Sequence, residues 1–477
     1  MHNSDNTVNQ WEVLVIGTGS GGKIAAQELA GQGHSVLAVE ASRFGGECPY
    51  LACVPAKSLQ ASAHAGLSWD DAVARRNDIT DRLDDHAGRD SLEAASVVTA
   101  RGRATLSGPL ADADPGAGIG PQRWRVRVSS GTDGETLHTA SIVIVATGSM
   151  PVVPPVDGLA DVDFWTSDKA LSTADQPDSM IVLGGGAIGC ELAQAFALLG
   201  TTVDLVEINS HLLPGEPRWA GEALAGRLRS DGVRVHLGGQ PMRVGSAGAV
   251  STVELADGTT LHADRILVAG GREPRTADLG LSNAGVNVDH ETKAVPVDQR
   301  CRVQDAGGSA IAGLYAVGDV TGVSNYTHSA NYQAKIVVAD LSGRGHDADY
   351  SAIPRVVYTE PPVFSVGLSA DQAEDKGIDV ATARFDIDDV ERATLLQSTQ
   401  RPGKSITVRG GVELVIDTER QVIVGATCVG PQAEGWGAEL ALAIRARVEL
   451  TVLRDHIRAF PTWSEAITVA LNKLTPG

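Results

Sequence analysis

Two of the chain's five cysteines, Cys48 and Cys53, lie in the stretch GGECPYLACVPAK with four residues between them, and Lys57 follows Cys53 by four. Residues five apart on an ideal α-helix have Cα atoms about 8.6 Å apart, whereas a disulfide needs roughly 4.4–6.8 Å. A bridge therefore requires a bent or tightened turn, and Pro49 is placed to provide one. The pattern through Lys57, Leu59 and Gln60 predicts a helix, with Pro55 tolerated only in its first turn. Cys53 then falls near a helix N-terminus, where the dipole favours a thiolate, and Lys57 lies one turn on along the same face. The competing reading is two unrelated core cysteines in an alanine-rich helix, since cysteine is often buried. In an intracellular chain a close pair of this kind is redox-active or metal-binding. No second Cys or His cluster completes a tetrahedral set, so no metal site is expected.

The elements that position this stretch begin just before it. A buried apolar strand (Val13–Ile16) runs into Gly17, Gly19 and Gly22, then a helix, then a second strand that ends at Glu40. Glycines at this spacing allow a tight turn and close approach of a pyrophosphate to a helix N-terminus, and the acid takes a ribose hydroxyl. The same unit recurs at MIVLGGGAIGCELAQAFALLGTTVDLVE, with Gly184, Gly186, Gly189 and Glu207. First glycine and acid are 23 residues apart in both copies. The chain is thus expected to hold two dinucleotides, with the cysteine stretch directly after the first unit. After Glu207 come Ile208, Asn209, Ser210 and His211, with no arginine cluster. An acid at that strand end repels a 2′-phosphate, so NADH is favoured over NADPH at the second site.

Further motifs fall at strand ends. Thr147 and Gly148 follow a buried strand (Ile142–Val145) and lead into a proline-rich crossing, MPVVPPVDG. LYAVGDVTG is an apolar strand that stops at Gly318 and Asp319. An acid there meets a ligand hydroxyl or caps a helix. Helical character is expected over Asp70 to about Ala95 and over Thr327 to Leu341, and strand character over Gln122–Val128. From about Tyr350 the pattern changes. Strands at SITVRG, VELVIDT and VIVGATCVG precede helices from Glu434 and Val452, which suggests an α+β domain.

Composition narrows the function classes. The chain has 477 residues, 43% hydrophobic and 21% charged, enough for about three domains of a soluble protein. Its net charge of −20 argues against nucleic acid or an anionic membrane as partner. No apolar run reaches the length of a membrane span. MHNSDNTVNQ lacks the charged-then-apolar order of a signal peptide, so a cytoplasmic location is expected.

Taken together, these motifs resemble the pyridine nucleotide–disulfide oxidoreductases, the family of dihydrolipoamide dehydrogenase, glutathione reductase and mercuric reductase. The likeness covers nearly the whole chain in the right order. It implies an α/β fold with two Rossmann-like dinucleotide-binding domains and a C-terminal α+β dimerisation domain. The segments would be 1–150 and 272–347 for FAD, 151–271 for the nicotinamide cofactor, and 348–477 for dimerisation. It implies FAD on Gly17, Gly19, Gly22 and Glu40, with Thr147, Gly148, Gly318 and Asp319 completing that site and Asp319 at the ribityl chain. NAD(P)H would lie on Gly184, Gly186, Gly189 and Glu207. Cys48 and Cys53 would form a redox-active disulfide, with Cys53 against the flavin and Cys48 attacking a small-molecule substrate. Lys57 would sit near flavin N5 with Glu191 as its carboxylate partner. The active unit would be a homodimer, each site built from two chains.

The sequence departs from the family in one place that matters for chemistry. The usual C-terminal signature is His-x-His-Pro-Thr, with Glu three residues after the Thr. Here it is Arg458-Ala459-Phe460-Pro461-Thr462-Trp463-Ser464-Glu465, so Phe460 replaces the catalytic His and Glu465 loses its imidazole partner. Phenylalanine neither accepts nor donates a proton, and general acid–base help is worth about 10²–10⁴-fold. PYLA between the cysteines also replaces the usual Asn/Gly-containing filler. The last cysteine is Cys428, so the terminal pair of mercuric reductase is missing. A Phe at this position also resembles the 2-ketopropyl-coenzyme M carboxylating enzyme, where a carbanion must avoid protons; that enzyme has His where this chain has Glu465. Tyr50, His456 and His328 are alternative proton sources, each with a structural role as the competing explanation. The expected function is FAD-dependent, NAD(P)H-linked reduction of a disulfide, polysulfide, metal ion or quinone. The rivals are reductive C–S cleavage with carboxylation, and a flavin-binding redox sensor or complex component.

Overall fold

The structure is a computed structural model that describes residues 9–110, 123–131, 134–248, 250–398 and 410–473. The chain is mixed α/β and divides into two compact units, one of residues 1–55, 75–152 and 272–349, the other of 56–74, 153–271 and 350–477.

In the first unit β1 (Asn9–Ile16), α1 (Ser20–Gly31) and β2 (Val36–Glu40) form the first βαβ unit. The apolar run from Val13 to Ile16 is continuous because the strand is central and both its faces are covered. It pairs in parallel with β2 on one side and with Gly134–Val145 on the other. Strands Ala310–Ala316 and Val98–Arg101 extend this core in parallel, and the eight-stranded sheet is completed by antiparallel neighbours. The expected strand Ile142–Val145 is therefore the end of a longer one. The expected strand Gln122–Val128 is seen as Trp124–Ser130, Gln122 being outside the described residues. The region from Asp70 holds helices Trp69–Ile79 and His86–Glu93.

The second unit repeats the plan. Strand Ser179–Leu183, helix Ala187–Leu198 and strand Thr202–Glu207 form the second βαβ unit, at the centre of a five-stranded parallel sheet. Residues 56–74 cluster here: Leu59 and Trp69 are buried in one core with Phe196 and Met180, and Trp69 Nε1 donates to Ala174 O at 2.8 Å. The C-terminal part is a five-stranded antiparallel sheet with helices after it. VELVIDT and VIVGATCVG lie in strands Gly411–Asp417 and Val422–Val429. The strand expected at SITVRG falls outside the described residues except for Gly410. Strands Arg355–Val357, Val363–Gly367 and Val380–Asp386 come in addition; the first two are short, and the alternation of the third, VATARFD, rests on Ala383 and Phe385 alone.

Candidate active site

Each dinucleotide turn is shaped as its glycines require. A Cβ on Gly22 would lie 2.0 Å from Gly17 O, and one on Gly189 would lie 1.9 Å from Gly184 O, so strand and helix touch through bare backbone at both. Gly19 and Gly186, the residues before each helix, face open space. Neither helix has an acid in its first turn. Two free, positively polarised helix ends beside open glycines fit a pyrophosphate. Glu40 is pinned at its strand end, accepting from Thr18 N and Oγ1 at 2.8 Å each and from Ser42 N at 2.8 Å. Glu207 is pinned likewise by Gly185 N at 2.7 Å and by Asn209 N and Nδ2 at 2.7 and 2.6 Å.

Asp319 is the first residue of a short 3₁₀ turn whose N-cap is Gly318. Its Oδ2 accepts from Ser149 Oγ at 2.6 Å. Burial pushes this carboxyl above its ordinary range, against the pull of Ser149 and Arg272. A half-buried acid at a strand's carboxyl end, beside an open Gly148, fits a ligand hydroxyl. Thr147 Oγ1 donates to Arg275 O at 2.8 Å and keeps its acceptor lone pairs.

Cys48 and Cys53 occupy two successive helical turns. Cys48 is in the four-residue α2 (Glu47–Tyr50), and Cys53 is the first residue of α3 (Cys53–His64). The break between them provides the bend that a straight helix lacks. Both are half-buried. Thr327, first residue of the helix Thr327–Leu341, touches both: its hydroxyl lies 3.4 Å from the Cys48 sulfur and 3.6 Å from that of Cys53. The hydrogen bond with Cys53 pushes the Cys48 thiol up strongly, and burial adds to it. Thr327 went unnoticed in the sequence, where the helix was legible but nothing marked its first hydroxyl.

In the second unit Lys57 Nζ lies 2.6 Å from Glu191 Oε2. Glu191, nearly buried, also accepts from Gln60 Nε2 at 3.1 Å and from Tyr358 N at 2.8 Å. The Lys57 ammonium sits 4.4 Å from the centre of the Tyr358 ring. The acid is thus saturated, while the lysine, 37% exposed, keeps donors for a further partner.

The loop of the altered signature is held from both ends. The Arg458 side chain is 4% exposed, ion-paired with Glu439, and donates to Leu453 O and Thr468 Oγ1. Trp463 is buried in the C-terminal core. Between them Phe460 is 70% exposed. Glu465 Oε2 is buried without a hydrogen-bond partner. Of the alternative proton sources, Tyr50 is buried with its hydroxyl on Phe44 O at 3.2 Å, His456 is exposed, and His328 is exposed and stacked on Tyr326.

A family model described as pyridine nucleotide-disulphide oxidoreductase matches residues 11–334, and the corresponding dimerisation-domain model matches residues 353–471. Dihydrolipoyl dehydrogenase of Geobacillus stearothermophilus is 32% identical over 469 residues, covering 95% of this chain and 94% of its own. Mercuric reductase of Acidithiobacillus ferrooxidans is 29% identical over 484 residues, covering 99% of this chain and 84% of its own. The solved structure of the HOCl-induced flavoprotein disulfide reductase RclA from Escherichia coli aligns with a TM-score of 0.83 at 26% identity, over 98% of this chain and all of that one.

Proposed function

Because the chain belongs to the pyridine nucleotide-disulphide oxidoreductases, an FAD-dependent family of enzymes, we propose that it uses NADH to reduce a small disulfide, polysulfide, metal-ion or quinone substrate at a redox-active Cys48–Cys53 pair. The observation that carries this reading is the convergence of both sulfurs on one Thr327 hydroxyl. Two unrelated core cysteines have no reason to share a partner from a helix more than 270 residues away in sequence.

FAD, when bound, supplies the two-electron link between nicotinamide and disulfide. Gly17, Gly19, Gly22, Glu40, Thr147, Gly148, Gly318 and Asp319 would hold it, and Gly184, Gly186, Gly189 and Glu207 would hold the nicotinamide cofactor. The chain's own residues manage charge. The Thr327 hydroxyl donates to the Cys48 sulfur at 3.4 Å and lies 3.6 Å from that of Cys53, so by turning it can donate to a Cys53 thiolate instead and accept from a Cys48 thiol. The raised Cys48 keeps its proton, so the single negative charge of the reduced pair rests on Cys53. Glu191 orients Lys57 and leaves its remaining donors for developing negative charge.

No histidine stands at position 460, so Cys48 gives up its proton without general-base help there. The reading therefore favours substrates that trap the thiolate quickly or carry their own proton. A homodimer is supported by the matched dimerisation domain and by Leu442, Val452, Ile457 and Phe460, each at least 58% exposed on that domain. Phe460 would then lie against Cys48 of a second copy. A cytoplasmic location suits a pair that must be reduced to work; no described helix is long and apolar enough to cross a membrane.

The test is NADH-driven turnover over a panel of disulfides, polysulfides and quinones. Cys48→Ser is expected to lose turnover of the substrate while NADH still bleaches the bound flavin. Undiminished turnover in Cys48→Ser would remove the cysteine from the reaction. Cofactor choice has a separate readout. NADH should reduce the enzyme at least about tenfold faster than NADPH, the scale of one charged contact, and Glu207→Gln should narrow the gap. Faster reduction by NADPH in stopped flow would contradict the role given to Glu207.

A further inference from the structure

Glu47, the residue before Cys48, holds a position that neither the cysteine chemistry nor the dinucleotide turns account for. It opens α2, whose N-cap Gly46 provides no side-chain bond. Gly46 has φ +76°, and a Cβ on it would lie 2.5 Å from Gly19 Cα, so the turn rests directly on the first dinucleotide loop. Gly45 and Gly46 both have positive φ, and their amides donate to Thr18 O and Arg43 O at 3.2 and 2.9 Å, which holds the backbone up to Glu47.

The side chain of Glu47 adds a second hold, a pair of guanidinium groups. Glu47 Oε2 lies 2.5 Å from Arg272 Nη2, and Glu47 Oε1 lies 3.1 Å from Arg275 Nη2. Arg272, 17% exposed, donates through Nε to Ser149 Oγ at 2.8 Å and through Nη2 to Ser149 O at 2.9 Å. Ser149 Oγ in turn donates to Asp319 Oδ2 at 2.6 Å. The strands carrying them, Ser149–Pro151 and Arg272–Pro274, are paired with each other, which fixes the arginine against the serine. An unbroken polar chain thus leads from the residue preceding Cys48 to the acid expected at the flavin's ribityl group. Charge-assisted bonds to both carboxylate oxygens set direction as well as strength.

We propose that Glu47 is a positioning residue, which through Arg272, Arg275 and Ser149 seats the Cys48 turn and ties the oxidation state of the Cys48–Cys53 pair to flavin binding at Asp319. This rests on the reading of Cys48 and Cys53 as a redox pair. Forming the disulfide joins two sulfurs whose effective concentration depends on how firmly each turn is held. Loosening the Glu47 end lowers that concentration and makes the disulfide easier to reduce. Loosening it also frees Arg272 and Ser149 to reorient around Asp319, which weakens the hold on FAD.

The test uses the purified holoprotein in glutathione redox buffers, with the Cys48–Cys53 state read by alkylation and mass spectrometry, and FAD release read by fluorescence. Glu47→Ala is expected to lower the equilibrium constant for disulfide formation by about tenfold and to speed FAD release, on the scale of one lost charge-assisted bond. Glu47→Gln, which keeps an acceptor for Arg272, should fall between it and the wild type. Arg275→Gln, at an exposed residue, should shift both readouts in the same direction and carries the test if Glu47→Ala does not fold. A variant that lowers only the melting temperature, with both readouts unmoved, would overturn the proposal, as would a shift in one readout without the other. If the wild type forms no Cys48–Cys53 disulfide, the redox reading falls and this proposal with it; if it does and the variants match it, only the clamp is wrong.

Discussion

Phe460→His should raise the turnover of simple disulfides such as glutathione or lipoamide disulfide by about 10²–10⁴-fold, the range that a placed general acid–base supplies. The substitution is made at an exposed side chain in a loop anchored on either side, by the buried Arg458 ion-paired with Glu439 and by the buried Trp463. The fold has no stake in the phenyl ring of the single chain, so a change in rate can be read as chemistry. Glu465 supplies the second half of the argument. Its buried Oε2 makes no hydrogen bond, and an unsatisfied buried acceptor costs about 1–3 kcal/mol. An imidazole donor in the same loop is the kind of partner that acceptor lacks, and a carboxylate behind it would hold the ring and raise its basicity. Phe460→Leu serves as the control, since it removes the ring without adding a proton carrier and should bring no gain. The native reaction should suffer in Phe460→His, more severely if it passes through a carbanion that must be kept from protons. The measurement is steady-state disulfide reduction by the wild type and both variants, with the rate of flavin reduction by NADH as an internal check. If the wild type already turns over these disulfides at a rate that Phe460→His leaves unchanged, another residue carries the proton.

Much of this was open to sequence reasoning because it is local. The two βαβ units announce themselves by glycines, strand and acid within about thirty residues, and backbone contacts such as Gly22 on Gly17 O are the physical reason those glycines cannot vary in size. The helix at Cys53 and that at Thr327 follow from composition and pattern alone. Contacts between distant segments were legible only where the family resemblance supplied them, as for Lys57 and Glu191. Thr327 against the sulfurs, Tyr358 under Lys57, and Arg272 and Arg275 on Glu47 come from strand and helix ends brought together by the sheets. Each is a single side chain with no local pattern around it. The C-terminal sheet was read only in part for a related reason: in an antiparallel sheet closed by distant strands, a three-residue strand such as Arg355–Val357 is defined by its partner Val363–Gly367 and not by its own period.

The central claim is that Cys53 and Cys48 act as a redox pair against the flavin, and anaerobic titration with NADH tests it most directly. Cys53 starts a twelve-residue helix, where the positive end favours a thiolate, and it has the Thr327 hydroxyl within reach. The hydrogen bond that Cys48 gives to Cys53, with burial, pushes the Cys48 thiol up and so favours the charge on Cys53. After two electrons per chain the negative charge should therefore sit on Cys53 beside oxidised flavin and give a long-wavelength charge-transfer absorbance. Cys53→Ser should abolish that absorbance, and Cys48→Ser, which leaves Cys53 with no disulfide partner, should show it before any NADH is added. Thr327→Val should weaken it by removing the hydroxyl donor, with Thr327→Ser restoring it. A wild type that goes directly from oxidised to fully reduced flavin, with no such absorbance in it or in Cys48→Ser, would mean that the two cysteines do not exchange electrons with the flavin.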